Sequence, residues 1–369
     1  MTFKESNCSR HQSGIALIIV LLVITVLAIL AGGFAYSMKV ETQLARNASF
    51  GDDLFWVAWG GLESAKWRLS ADLRNPQCGP GVDCLQEAWA GGAGCDLTNS
   101  ASPFEASAVS VLDQNRLVFD AESDAHTTIV DAERKFNINI AGQPILQQAM
   151  MLIGVDPAAQ STIMDSIDDW RDTDKDPKGS GAEDDFYQSG QGPYGLPHRA
   201  KNGPIDDISE LRMINGVTRA IYEGSGAIDT TAALATVEAA RSRFDEPIYA
   251  VGLRDLFCTV SSRVLNVNTA AEITLQLLPP IDNNIAAIIV EERAKAPFRN
   301  IQDLVQRVPP LGPVLQQMPE IQQYIGFQSR VFEVTIEARI GGQRRTYVGV
   351  LLRNNQNDIQ VLAFAPKWD

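Results

Sequence analysis

The chain has 369 residues, 45% of them apolar, with 45 acidic against 31 basic side chains and a formal net charge of −14. That size buries a core without needing disulfide or metal staples and leaves room for two or three domains. The acidity repels phosphate backbones and anionic lipid headgroups, which disfavours nucleic acid and peripheral membrane binding and favours cation binding or plain solubility.

Residues 15–38, IALIIVLLVITVLAILAGGFAYSM, are uncharged and almost wholly apolar, and they follow a short polar leader ending in Ser13-Gly14. About 20 helical residues cross the hydrocarbon of a bilayer, so this run spans it with some tilt. A secretory signal has a shorter apolar region and a small-residue cleavage site on its far side. Here the small residue, Gly14, stands on the near side. Lys4 and Arg10 before the span against Lys39 and Arg46 after it give little orientation under the positive-inside rule.

Residues 39–75 hold no proline and place Leu44, Phe55, Ala58, Leu62, Ala65 and Leu69 near helical spacing, which predicts a stalk continuing the span until Arg74-Asn75-Pro76 stops it. Strand patterns follow at residues 108–112, 116–119 and 126–132, within a first sheet portion at 76–140. A block of short helices and polar turns occupies 141–326. Residues 327–369 return to strand, with alternation along Val331, Glu333, Thr335, Glu337 and Arg339 and a Gly341-Gly342 hairpin turn. Helices bracketed by strands read as an insertion into one small antiparallel sheet, an α+β fold.

Inside the block a unit repeats, at about 136–225 and 265–320. Phe136-Asn137-Ile138-Asn139-Ile140-Ala141 recurs as Leu265-Asn266-Val267-Asn268-Thr269-Ala270, each followed by an apolar helix and later by a capped helix start at Asp207 and Asn300. The units resemble helix-hairpin-helix or SAM-like folds, some of which bind DNA. The corresponding turns, Gly154-Val155-Asp156-Pro157 and Pro279-Pro280-Ile281-Asp282, lack a G-x-G and carry acids, so a structural or protein-binding role is expected, without nucleic acid.

Cys8 lies in the leader, which leaves Cys78, Cys84, Cys95 and Cys258 as disulfide candidates with three connectivities, against four unpaired thiols. The segment DSIDDWRDTDKDPKGSGAEDDFY, residues 165–187, holds nine carboxylates against Arg171, Lys175 and Lys178. Counted from Asp172, Asp174 and Asp176 take the third and fifth places of an EF-hand loop and Glu183 the twelfth, while Pro177 replaces the turn glycine. Asp168, Asp169, Asp184 and Asp185 are further oxygen donors. The bland reading is a solvated acidic loop; carboxylates this crowded between Trp170 and Phe186-Tyr187 call for a counter-ion, and calcium in a structural role is expected.

The leader resembles the class III signal of type IV pilins and type II secretion pseudopilins, cut by the prepilin peptidase between Gly14 and Ile15. The alternative is an uncleaved signal anchor. Those families carry glutamate as the fifth mature residue, and Ile19 stands there. DWRDTD, GAEDDFY, the paired N-x-N segments and the leader without glutamate together resemble the GspK-type minor pseudopilins over essentially the whole chain. The resemblance implies a long N-terminal helix, a pilin-like sheet, a large inserted helical domain, and calcium held by Asp169, Asp172, Asp174, Glu183 and Asp184, with Asp168, Asp176 and Asp185 as further candidates. It implies N-terminal processing with methylation, a single inner-membrane span with a periplasmic head, and assembly at the pseudopilus tip with GspI-type and GspJ-type minor pseudopilins. The GspH-type and major pseudopilins and the inner-membrane assembly platform are further implied partners. His11, His126 and His198 are too few and scattered for a zinc site or a Ser-His dyad, and no G-x-S-x-G or P-loop occurs, so no catalysis is expected. The alternatives are a type IV pilus or competence minor pilin and a membrane-anchored periplasmic metal-dependent hydrolase.

Overall fold

The computed structural model describes residues 12–74, 81–92, 116–119, 123–224, 249–279 and 281–367. One helix, α1 (Gln12–Arg74), runs 63 residues and stops where Asn75-Pro76 was expected to stop it. It is long and apolar enough to cross a membrane. From Leu17 to Leu44 its large apolar side chains are exposed all round. Thr25 and Thr42 hand their hydroxyl protons to carbonyls one turn back, at 2.7 Å each, so neither leaves an unmet donor on the rod.

From Leu54 the helix acquires a buried face. Leu54, Ala58, Leu62, Ala65 and Leu69 recur three or four residues apart and pack on a five-stranded antiparallel sheet. Leu44, expected on this face, is exposed, because the rod meets the sheet only ten residues later. The strands are β1 (Arg116–Val118), β2 (Ser123–Asp131), then, after short β3 (Phe136–Asn137), β4 (Phe257–Cys258), β5 (Leu265–Asn266) and β6 (Ile325–Gly326), the long β7 (Val331–Ile340), β8 (Gln343–Asn355) and β9 (Asp358–Pro366). The sheet order is β1-β2-β7-β8-β9. Phe332, Val334, Ile336 and Ala338 of β7 face the helix, a period of two that buries one side of the strand. The β7–β8 hairpin turns at Gly341, φ 55°, where an L side chain is strained. Helix and sheet approach closely at Gly61, where a Cβ would stand 2.9 Å from Ile336 Cγ2. The strand expected at 108–112 lies outside the described residues.

Between β2 and β7, the neighbours in the sheet, the chain leaves to build a second core running from Phe136 to Ile325. Its helices are α2 (Gln143–Ile153), α3 (Pro157–Arg171), α4 (Asp184–Gln188), α5 (Arg219–Glu223), α6 (Leu253–Leu256), α7 (Glu272–Leu275), α8 (Asn283–Lys295), α9 (Ile301–Arg307) and α10 (Leu311–Gln317). The duplication read from N-x-N is visible in hydrogen bonds. Asn139 exchanges two bonds with the backbone of Ile205, and Asn268 does the same with Phe298. Arg171 at the end of α3 donates to the carbonyls of Ile138 and Ala141, and Arg293 in α8 donates to those of Val267 and Ala270. Asp156 and Asp282 both cap the helix that follows. Each module is thus an asparagine-pinned turn clamped to a helix by one arginine.

Candidate metal centre

The two modules differ in one place. Phe298 lies five positions after Arg293, whereas Ile205 lies 34 positions after Arg171, and the surplus in the first module is the acidic loop with α4. Helix α3 ends at Arg171, and the chain turns out through Asp172 into turns at 172–182 before α4 starts at Asp184.

Within that loop Asp172, Asp174 and Glu183 each place a carboxylate oxygen within 4.8 Å of the others. Both Glu183 oxygens and Asp172 Oδ1 are buried with no hydrogen-bond donor among the described residues. Burial, and then the charges of Asp169 and Asp172, push the Glu183 carboxyl up to about 6. Lys178 Nζ lies 2.5 Å from Asp172 Oδ2, which leaves one positive side chain against three carboxylates. Asp169, fully buried at the end of α3, accepts the Lys178 backbone N–H at 3.1 Å and closes the loop from below. A Cβ on Gly181 would stand 2.0 Å from Asp169 Oδ2, so the chain passes here only as glycine. Asp165 Oδ2 accepts the Ser180 N–H at 2.9 Å and tightens the same bend.

The other predicted donors are spread around this cluster. Asp168 turns to Arg171 and to Gln143 Nε2, at 2.6 Å from the latter. Asp184 accepts the Ala200 N–H at 2.9 Å and holds the far side of the loop. Asp176, whose N–H donates to Asp174 Oδ1, and Asp185 are exposed. Sequence reasoning missed Asn202. Its Nδ2 donates to the Asp174 carbonyl at 2.7 Å, while its Oδ1 is buried without a donor. Asn202 is the one non-glycine at positive φ among the described residues, 48°, and the Asn202-Gly203 dipeptide was the available sign of a left-handed turn.

Four buried oxygens without donors, three of them carboxylate, fit a hard cation that is satisfied only by oxygen. Calcium takes six to eight such ligands, and Asp172, Asp174, Glu183 and Asn202 are the residues that would hold it. Nitrogen and sulfur ligands suited to zinc are not part of the cluster. His198 stacks on Tyr187 with ring centroids 4.8 Å apart and turns Nδ1 to the Leu196 carbonyl at 3.0 Å, as a packing group beside Trp170. Cys84 is buried and Cys258 half-buried, both as free thiols, and Cys258 Sγ faces the Ala132 carbonyl at 3.4 Å. Cys78 and Cys95 lie outside the described residues, as do residues 1–11 of the leader; Gly14 and Ile15 lie within α1.

Residues 115–224 match the family model described as type II secretion system protein K. Type II secretion system protein K of Pseudomonas aeruginosa is 26% identical over 366 residues, covering 96% of this chain and 92% of the relative. The protein of the same name from Aeromonas hydrophila is 22% identical, with 96% of each chain covered. Among solved structures, the crystal structure of the GspK-GspI-GspJ complex from the enterotoxigenic Escherichia coli type 2 secretion system superposes with a TM-score of 0.60 at 16% identity, covering 88% of this chain and 99% of the other. The long helix, small antiparallel sheet and many short helices are therefore a fold shared with that structure, and the chain is similar to type II secretion system protein K over nearly its whole length, with residues 115–224 matching that family's model.

Proposed function

We propose that this protein is a minor pseudopilin of type II secretion that sits at the tip of the periplasmic pseudopilus and assembles there with GspI-type and GspJ-type subunits. The observation that carries the reading is the rod. A single helix exposes apolar side chains all round for its first half and then becomes the inner layer of a bulky head. A rod hydrophobic on every side is buried by lipid or by other helices. The head is far wider than the helix, because the inserted domain adds a second core beside the sheet. A subunit of this shape blocks the addition of another subunit above it, so it caps the filament by steric exclusion. Ile19 fits the same position, since an apical subunit needs no carboxylate to pair with an N-terminus above it.

The head lies in the periplasm and the span in the inner membrane, with Gly14-Ile15 as the junction cut by the prepilin peptidase. The acidic loop is a structural calcium site, and the protein is not a catalyst. Copurification of the full chain with the other minor pseudopilins from detergent-solubilised membranes, with and without a chelator, tests the reading. Recovery of a stoichiometric complex is expected, weakened by chelation. No complex under either condition would refute the tip assignment. N-terminal sequencing that found Met1 retained in a host with active peptidase would refute the processing.

A further inference from the structure

A second knot of carboxylates lies where the rod ends and the head begins. Asp72 comes from the last turn of α1, and Asp83 and Glu87 from the segment 81–92, and each places an oxygen within 4.8 Å of the others. Asp83 and Glu87 are 1% and 2% exposed, and Asp72 is 9% exposed. Arg353 on β8 is the cation that reaches them. Its guanidinium lies 3.2 Å from Asp72 Oδ2, bonds both oxygens of Asp83, and stands 4.6 Å over the Phe332 ring. The neighbouring N–H groups are already engaged. Ser329 N–H donates to Asp83 Oδ2, while Cys84 N–H and the Trp89 indole both donate to Glu87 Oε2, the latter at 2.7 Å. Glu87 Oε1 is left in the interior with no donor among the described residues.

With all three carboxylates ionised, one guanidinium leaves two negative charges unmatched in a space a few ångströms across. An unpaired buried charge is among the costliest features a fold can carry. One proton removes half the surplus, whereas one divalent ion removes all of it. The donors are oxygens only, and their mutual separations suit the coordination shell of a hard cation. We propose that Asp72, Asp83 and Glu87 hold a divalent cation, calcium, at the junction of rod and head, separate from the acidic loop, with Arg353 as the fixed partner of Asp83. The ion ties three parts of the molecule together. Asp72 belongs to the rod and Arg353 to the sheet, while Asp83 donates its N–H to the Phe327 carbonyl at 2.9 Å and accepts Asn266 Nδ2 of the inserted domain at 3.1 Å.

The test uses the full-length protein in detergent, with Asp172→Asn and Glu183→Gln together silencing the acidic loop. Trp89 touches Glu87, so terbium at the junction is excited through the indole. In the loop-silent protein, tryptophan-excited terbium emission that calcium displaces is expected, with one calcium retained on equilibrium dialysis. Adding Glu87→Gln weakens that binding at least tenfold, and Asp72→Asn does the same from the rod side. Trp89→Phe removes the emission and keeps the bound calcium. Loop-silent protein that retains no calcium at millimolar concentration, or retention that Glu87→Gln leaves unchanged, overturns the proposal.

Discussion

The calcium proposed for the acidic loop has a calculable effect on stability. Without a cation, Asp172 Oδ1, both oxygens of Glu183 and Asn202 Oδ1 are acceptors buried without donors. A ligand that binds only the folded state stabilises it by about 2.7 kcal/mol at one hundred times its dissociation constant. The helical core runs from Phe136 to Ile325, and for a unit of that size each kcal/mol moves the melting temperature by about 2–4 °C. Chelation should therefore lower the melting of the full-length protein by about 5–11 °C, measured by circular dichroism in detergent at saturating calcium and again with a chelator. Glu183→Gln should abolish most of that difference and raise the stability of the calcium-free form, because a neutral amide replaces a buried charge. Glu183 is raised to about 6 by burial and by Asp169 and Asp172, so protons compete for the same oxygens and the calcium effect should fade as pH falls through 6. Identical melting with and without chelator, or a full calcium shift surviving in Glu183→Gln, would refute the assignment of these residues.

Three further outcomes are expected. Gly61→Ala places a Cβ 2.9 Å from Ile336 Cγ2 and 3.0 Å from Thr127 Oγ1 and should cost about 1–3 kcal/mol in urea unfolding; an unchanged midpoint would show that the helix moves off the sheet freely. Burial, then the neighbouring Asp131, pushes Glu133 up from 4.5 to about 7, so the folded state holds its proton more tightly than the unfolded chain. That contribution, about 3 kcal/mol, is complete below pH 4.5 and lost as pH rises through 7; Glu133→Gln should flatten this part of the stability profile between pH 5 and 8, and parallel profiles would contradict it. Ile19→Glu should leave the head folded and alter initiation or placement of the filament; unchanged pseudopilus assembly and secretion would show that the position carries no information.

What the sequence reveals and hides follows from the range of the interactions. The strands after Phe327, the hairpin at Gly341-Gly342, the end of α1 and the repeated N-x-N segments were legible because each is written in neighbouring residues: a period of two, a turn dipeptide, a proline, an asparagine pair. The loop cluster was legible in part, since Asp172, Asp174 and Glu183 lie within twelve positions. Asn202 was not, because it returns to Asp174 across 28 residues by way of a left-handed turn. The junction knot was wholly hidden. Arg353 meets Asp83 across 270 positions, and no local pattern announces that contact.

The duplication bears on what the proposed loop cation would do. Both modules use the same frame, an asparagine exchanging two bonds with a backbone segment and an arginine closing on two carbonyls, and the second module completes it in five residues without any acidic loop. The frame therefore folds on protein contacts alone. In the first module the same two ends, Arg171 and Ile205, are joined by an excursion whose opening stretch, residues 172–181, is polar and carries no buried side chain, before Ala182 and Tyr187 anchor the chain in the core again. A segment of that composition does not recover its ordering entropy by packing. Cross-linking Asp172 to Glu183 through the proposed ion would shorten the excursion at its base, where Asp169, Asp184 and Asn202 hold its sides. On the proposed calcium reading, the ion shapes one surface of the head rather than the fold beneath it. It follows that chelated protein should keep its helical circular dichroism at 25 °C while amide protons of residues 172–182 lose protection from exchange. Loss of protection across α2, α3 and α8 together would show instead that the ion holds up the whole domain.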